Sequence, residues 1–211
     1  MVEVYDLEGL LARPALREEM HELRYRQFYE KRRWDIPAVK GVEIDQYDRR
    51  EINPVYFLAR DASGRLCGSC RLIPTTGPYM IRDLFAHMLG DRPLPESPRI
   101  WEATRIAADT ASGARAAMRT TGALLAAVCE FGMPRGIRFT IGTYEAAVIR
   151  LFRVRGVPAT WVGAEHELAD CRCALALHPV NDRVYRRILD VNRLSAPVIS
   201  LDATLYKEEA A

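Results

Sequence analysis

The chain has 211 residues, 49% of them hydrophobic and 27% charged, with a formal net charge of +2. That is enough apolar material for one domain with its own core and too much for a disordered chain. A charge so close to balance argues against a dedicated nucleic-acid binder; no apolar run approaches membrane-spanning length, and the acidic start (Glu3, Asp6) lacks the basic and apolar regions of a secretion signal. The expectation is a single domain over 1–211, in the cytoplasm, with no membrane or nucleic-acid partner.

In chain order, residues 2–7 alternate as a first strand. From 14 to 34 the apolar positions Leu16, Met20, Leu23 and Phe28 recur near helical spacing. Arg24 and Phe28, four apart, share one helical face, and Pro37 closes the segment. Residues 40–53 form a polar connection holding Asp45 and Asp48. Residues 55–60 and 66–73 read as strands joined by a turn at 61–64. A short helix (81–89), a strand (99–107) and an alanine-rich helix (114–131) follow. A strand (137–143), a helix (145–155), strands at 159–162 and 174–177, and a last helix (181–194) complete the chain. Strands with helices interposed predict an α/β or α+β sandwich around one mixed sheet.

Five cysteines cannot form a complete disulfide set within one chain. Cys67 with Cys70 (CxxC) and Cys171 with Cys173 (CxC) have spacings compatible with zinc, but both pairs sit in strand-like stretches where cysteine packs as a small hydrophobe. No metal site is assigned. The four histidines show no ligand spacing and receive no chemistry.

One constellation carries chemistry. Arg24, Phe28, Trp34, Asp45, Asp48, Arg71, Glu102 and Arg105 combine charges of both signs with an aromatic pair, which suits a zwitterionic small molecule with a flat ring system. Glu102 and Arg105 are three apart, and on a regular strand would face opposite sides. A bulge around residues 103–104 would bring both into one pocket and free backbone N–H groups for a thioester oxyanion.

In type and spacing these eight residues resemble the signature of the N-acyl-homoserine lactone synthases, the LuxI-type autoinducer enzymes, over roughly residues 20–160. The resemblance implies a GNAT-like acyltransferase sandwich: a mixed, twisted central sheet with helices on both faces, splayed to admit an acyl-pantetheine arm. It implies two substrates, S-adenosylmethionine and an acyl thioester, and no cofactor. Glu102 and Asp45 are then the candidate bases, with Arg105 beside them. Arg24, Phe28, Trp34, Asp45 and Thr104 would form the S-adenosylmethionine pocket, and Asp48, Arg71 and Arg105 an ion-pair frame. Ile106, Thr140 and Thr143 would line the acyl pocket.

The glycine-rich pyrophosphate loop of GNAT enzymes is missing, since residues 105–113 hold one glycine, Gly113. Such a loop cradles coenzyme A phosphates with backbone N–H groups, so its absence points to acyl carrier protein as donor, with acyl-coenzyme A the alternative. Arg135, Arg138, Arg150, Arg153 and Arg155 are opposed by one acid, Glu145, between 135 and 155. Of these, Arg150, Arg153 and Arg155 are the expected docking residues for an acidic carrier protein. Two other readings stay open on sequence: a GNAT-like transferase acting on another amine, and a nucleic-acid-binding regulator using these arginines.

Overall fold

The computed structural model describes residues 1–168 and 170–200. The elements are β1 (Val2–Asp6), α1 (Leu7–Leu11), α2 (Pro14–Arg24), β2 (Ala38–Val39), β3 (Val42–Glu43), β4 (Val55–Arg60), β5 (Leu66–Pro74) and α3 (Met80–Leu84). Then come β6 (Ile100–Ala108), α4 (Ala114–Gly132), β7 (Phe139–Glu145), α5 (Ala146–Val154), β8 (Thr160–Leu168), β9 (Cys171–Pro179) and α6 (Asp182–Asn192). Seven strands form one sheet in the order β1-β4-β5-β6-β7-β9-β8; β6 and β7 run parallel, and the other neighbours antiparallel. The parallel pair requires a crossover, which α4 supplies.

Alternation sorts the strand residues onto two faces. Phe57, Cys70, Leu72 and Ala103 join α4 and α6 residues such as Leu124, Phe131 and Ile188 in the larger core. On the opposite face, Tyr56, Leu58 and Leu66 pack against Leu10, Met20 and Leu23 of α1 and α2. Farther along that face, Ile73, Ile141 and Leu175 pack with Tyr79, Ile81 and Met88. Helices therefore cover both faces of a mixed sheet, the GNAT-like sandwich that the resemblance implied.

Three local expectations change. The helix beginning at Pro14 is α-helical only to Arg24 and continues as a π-helix over Tyr25–Lys31. The polar connection is partly ordered, because β2 and β3 pair as a small hairpin. β8 and β9 are longer than the apolar runs suggested, Gly163, Ala164 and Glu165 being absorbed in a register shift between Val162 and His166. Cys67 and Cys70 belong to one core cluster and Cys173 to the cluster across the sheet. No group of three or more metal-ligating side chains occurs among the described residues.

The site is opened by the central strands. β6 and β7 pair only at Ile100 with Phe139, Trp101 with Thr140 and Glu102 with Ile141. Beyond that point Tyr144 stands between them, its hydroxyl donating to the Ala103 carbonyl at 3.2 Å. Gly142 makes room for the ring: a Cβ there would lie 2.5 Å from the Tyr144 ring and 2.6 Å from the Ala103 carbonyl oxygen. Gly142→Ala should therefore destabilise the protein by about 1–3 kcal/mol through overpacking, read from urea unfolding midpoints. An unchanged midpoint would show that the wedge is not sterically fixed.

Candidate active site

Three guanidiniums and three carboxylates meet between the two smaller clusters. Arg24 from α2 bonds Glu43 of β3 and grips both oxygens of Asp48 at 3.1 and 2.9 Å. Arg71 from β5 reaches Asp45 at 2.6 and 2.9 Å, Asp48 at 2.7 Å and the Thr104 hydroxyl at 3.1 Å. Arg105 from β6 closes the set on Glu43 at 2.9 Å and Asp45 at 2.8 Å. Arg24 and Arg71 are each 1% exposed and Glu43 is fully buried. Charges of three and three cancel, and shared hydrogen bonds make the desolvation tolerable. Tyr56 adds a donor to Asp48 at 2.9 Å, and His21 Nδ1 lies 2.7 Å from the Glu43 carbonyl oxygen.

Arg105 joins this set because of a bulge, two residues later than expected. Thr104 lies opposite Arg71 and Ala107 opposite Ser69, so Arg105 and Ile106 together face Cys70 alone. Residues 102–104 are regular, and Arg105 takes the left-handed conformation at φ 51°. A non-glycine residue there costs about 1–3 kcal/mol unless its surroundings hold it. Glu43 and Asp45 do so through the guanidinium. The flip sends Arg105 to the same side as Glu102 and Thr104.

Glu102, Thr104, Arg105 and Asp45 line a cleft of about 370 Å³, with Phe28, Trp34, Tyr47 and Met80 among its walls. Phe28 and Trp34 stack with centroids 5.2 Å apart. The Arg105 guanidinium lies 5.7 Å from the Phe28 ring centre, and Arg32 covers both rings while bonding Glu145 at 3.1 Å. Arg24, Asp48 and Arg71 do not line the cleft. Arg24, expected in the S-adenosylmethionine pocket, instead belongs to the buried frame, since all its donors are turned inward.

The two candidate bases sit in opposite environments. Burial pushes Asp45 upward, but the adjoining Arg71 and Arg105 guanidiniums hold it below the ordinary carboxylate range. Its folding contribution is present above the ordinary value and fades as pH falls through the lowered one. Burial dominates at Glu102 and raises it to about 7, despite the backbone N–H groups of Met80 and Ile81 that its oxygens accept at 2.8 Å each. Its contribution is complete below the ordinary value and fades as pH rises through about 7. Glu102 can therefore exchange a proton near neutrality, whereas Asp45 stays a fixed anion.

Behind the cleft lies a second, smaller cavity of about 20 Å³ lined by Cys70, Leu125, Val128, Thr140, Phe152 and His178, among others. Ala103, Ile106 and Tyr144 wall both spaces. Thr140 and Thr143, expected in one acyl pocket, are separated by strand alternation: Thr140 lines the smaller cavity and Thr143 the cleft. Among the expected docking arginines, Arg150 and Arg153 are exposed on α5. Arg155 turns inward to Asn192 Oδ1 at 3.4 Å and does not share their surface. Sequence reasoning missed Glu43; the signal was a third acid two residues before Asp45, on the same side of an extended segment.

The autoinducer synthase family profile matches residues 9–188. An acyl-homoserine-lactone synthase of Ralstonia nicotianae is 44% identical over 135 residues, covering 62% of this chain and 65% of that protein, a little under two thirds of its length. The crystal structure of TofI in a ternary complex with an inhibitor and MTA is 32% identical with a TM-score of 0.72, covering 88% of this chain and 93% of that one. The structure of BjaI, a CoA-dependent acyl-homoserine lactone synthase, with MTA is 26% identical with a TM-score of 0.82, covering 95% and 92%. The chain belongs to the autoinducer synthase family.

The frame's stability role has a direct test. Glu43→Gln keeps the shape but leaves Arg24 and Arg105 without their shared anion, and breaking a buried pair costs about 3–5 kcal/mol. Urea unfolding should show that loss. A change under 1 kcal/mol, as is typical of exposed pairs, would mean the network is hydrated and not structural.

Proposed function

We propose that this chain acylates the amine of S-adenosylmethionine from an acyl thioester and closes the product to an N-acyl-homoserine lactone, releasing methylthioadenosine. The observation that carries the reading is Glu102: a carboxylate with a pKa near 7, facing a charged aromatic cleft that backs onto an apolar cavity. Phe28 and Trp34 would contact the flat and sulfonium parts of S-adenosylmethionine, with Thr104, Arg105 and Asp45 taking its polar end.

An α-amine has a reference pKa of about 7.7–8.0 and must lose a proton to become nucleophilic. Glu102, directly or through a water, accepts it. The amine nitrogen bonds to the thioester carbon, the carbon–sulfur bond breaks and the donor leaves as its thiol. The opening between β6 and β7 gives the acyl chain a path past Tyr144. In the second step the substrate's carboxylate oxygen bonds to its γ-carbon and the carbon–sulfonium bond breaks, expelling neutral methylthioadenosine. Arg105 and the aromatic wall assist by holding the chain folded.

Acyl carrier protein is the proposed donor, in the cytoplasm. The turn before α4 carries Asp109, whose carboxylate bonds Arg65 at 2.7 Å and the Ala111 N–H at 2.9 Å. That carboxylate occupies the Ala111 N–H, leaving one backbone donor fewer in this turn for a pyrophosphate. Arg150 and Arg153, three apart on one exposed helix face, supply charge for an acidic protein. No helix among the described residues is long and apolar enough to cross a membrane.

Incubated with S-adenosylmethionine and a matched donor, the protein should release methylthioadenosine and lactone in equal amounts, counted by chromatography and mass spectrometry. Acylated product without lactone would mark a different transferase. Turnover should rise with pH through about 7 as Glu102 ionises. Glu102→Gln should lower kcat on the order of a hundredfold or more and remove that limb; an unchanged profile would take Glu102 out of the mechanism.

The double reversal Arg150→Glu with Arg153→Glu should raise the KM for acyl carrier protein severalfold, more at low ionic strength, and leave the KM for S-adenosylmethionine nearly constant. Unaltered carrier-protein kinetics would remove α5 from docking.

A further inference from the structure

The smaller cavity is lined mostly by apolar side chains; Thr140 and His178, register partners on β7 and β9, are among its few polar ones. His178 is 3% exposed, and its ring is held between Tyr144 and Phe152 at centroid distances of 5.5 Å each. Its Nδ1 lies 3.0 Å from the Pro158 carbonyl oxygen. A carbonyl only accepts, so Nδ1 carries the proton, and Nε2 presents a lone pair. That Nε2 is buried without a hydrogen-bond partner among the described residues. Burial also holds the imidazole in its neutral form, lowering its pKa.

An unmet acceptor in a mostly apolar cavity costs about 1–3 kcal/mol until a donor reaches it. The acyl chain is the only substrate part that would enter this space, and a plain alkyl chain brings no donor. A 3-oxo chain brings another acceptor, which the Thr140 hydroxyl can serve but the Nε2 lone pair cannot. Moving the proton to Nε2 would only turn the Nδ1 lone pair against the Pro158 oxygen. A hydroxyl satisfies the nitrogen without any rearrangement. Because Ala103, Ile106 and Tyr144 wall both cavity and cleft, the carbons nearest the thioester are the ones that reach it. The cavity has room for little more than one water-sized group, so the chain is short unless the apolar walls move.

We propose that His178 is a specificity-determining residue and that the preferred donor carries a short 3-hydroxyacyl chain. The inference rests on the synthase reading above and adds the substrate's chemical class to it.

The test measures kcat/KM for the full chain with butanoyl, hexanoyl and octanoyl donors, each in plain, 3-oxo and 3-hydroxy form, on both carriers. Lactone mass and methylthioadenosine release are the readouts. The 3-hydroxy donors should exceed their plain and 3-oxo counterparts roughly three- to tenfold, the range of one net hydrogen bond. His178→Phe keeps a ring against Tyr144 and Phe152 but has no acceptor, so the hydroxy-to-plain ratio should fall to about one. A wild-type preference for plain or 3-oxo chains, or a hydroxy preference that survives His178→Phe, overturns the assignment. If the variant does not fold, the wild-type ranking decides by itself. Lactone formed without a hydroxyl preference sinks this inference alone, whereas no lactone from any donor sinks the synthase reading and the inference with it.

Discussion

Three arginines and three acids buried together would be an expensive way to hold a protein if each charge stood alone. Here Arg24, Arg71 and Arg105 share Glu43, Asp45 and Asp48, so almost every carboxylate oxygen serves two donors. The arrangement ties four separate pieces of chain to one another: α2, the β3 segment and its following loop, β5, and the bulge on β6. Without it, the polar connection after α2 would have little apolar surface with which to pack, and Arg105 would have no reason to accept a left-handed backbone. The lowered pKa values of Asp45 and Asp48, in which neighbouring guanidiniums outweigh burial, express the same coupling. Acid should loosen this corner first, because protonating either aspartate leaves a guanidinium uncompensated.

The frame also explains how one face of the sheet can hold a polar patch between two apolar clusters while the opposite face carries the larger core. Period-two alternation puts Arg71, Glu102 and Thr104 on the cleft side and Cys70, Leu72 and Ala103 on the core side. The bulge adds Arg105 to the first group and turns Ile106 to the second. At the level where β6 and β7 part, the sheet is no longer a continuous barrier, and Tyr144 fills the gap with one hydroxyl on the Ala103 carbonyl. Cleft and cavity thus lie on opposite sides of the sheet and meet only where its hydrogen bonding lapses.

Much of this was legible in sequence. The order of the larger strands and helices, the turn at 61–64, and the need for an irregularity on β6 followed from apolar periodicity and from the three-residue interval between Glu102 and Arg105; the short α1 and the β2–β3 hairpin did not. The bulge position did not follow, because sequence fixes parity, not where the extra residue sits. The division of roles within the constellation was also illegible. Arg24 reads as a ligand residue in a list of charges and becomes a frame residue only when Glu43 and Asp48 surround it. Glu43 lies in a two-residue strand too short to give a pattern, and His178 has no sequence neighbour that would mark it. Both act through partners more than fifteen positions away.

Two carboxylates close to the same cleft would compete for one role if their surroundings matched, and the surroundings are opposed. Asp45 touches two guanidiniums, so its charge is neutralised in place and its proton affinity is low. Glu102 receives only neutral backbone donors from Met80 and Ile81, which orient it without supplying a full counter-charge. Those N–H groups open α3, a helix of five residues, so the carboxylate and the helix start fix each other. The same contact that keeps Glu102 in position leaves it weakly compensated in a buried place, and that combination raises its pKa to about 7. Placing a cation as close to Glu102 as Arg71 is to Asp45 would make it a better anchor and a poorer base. Distributing the arginines to one carboxylate and withholding them from its neighbour is therefore what separates framework from proton acceptor in this cleft.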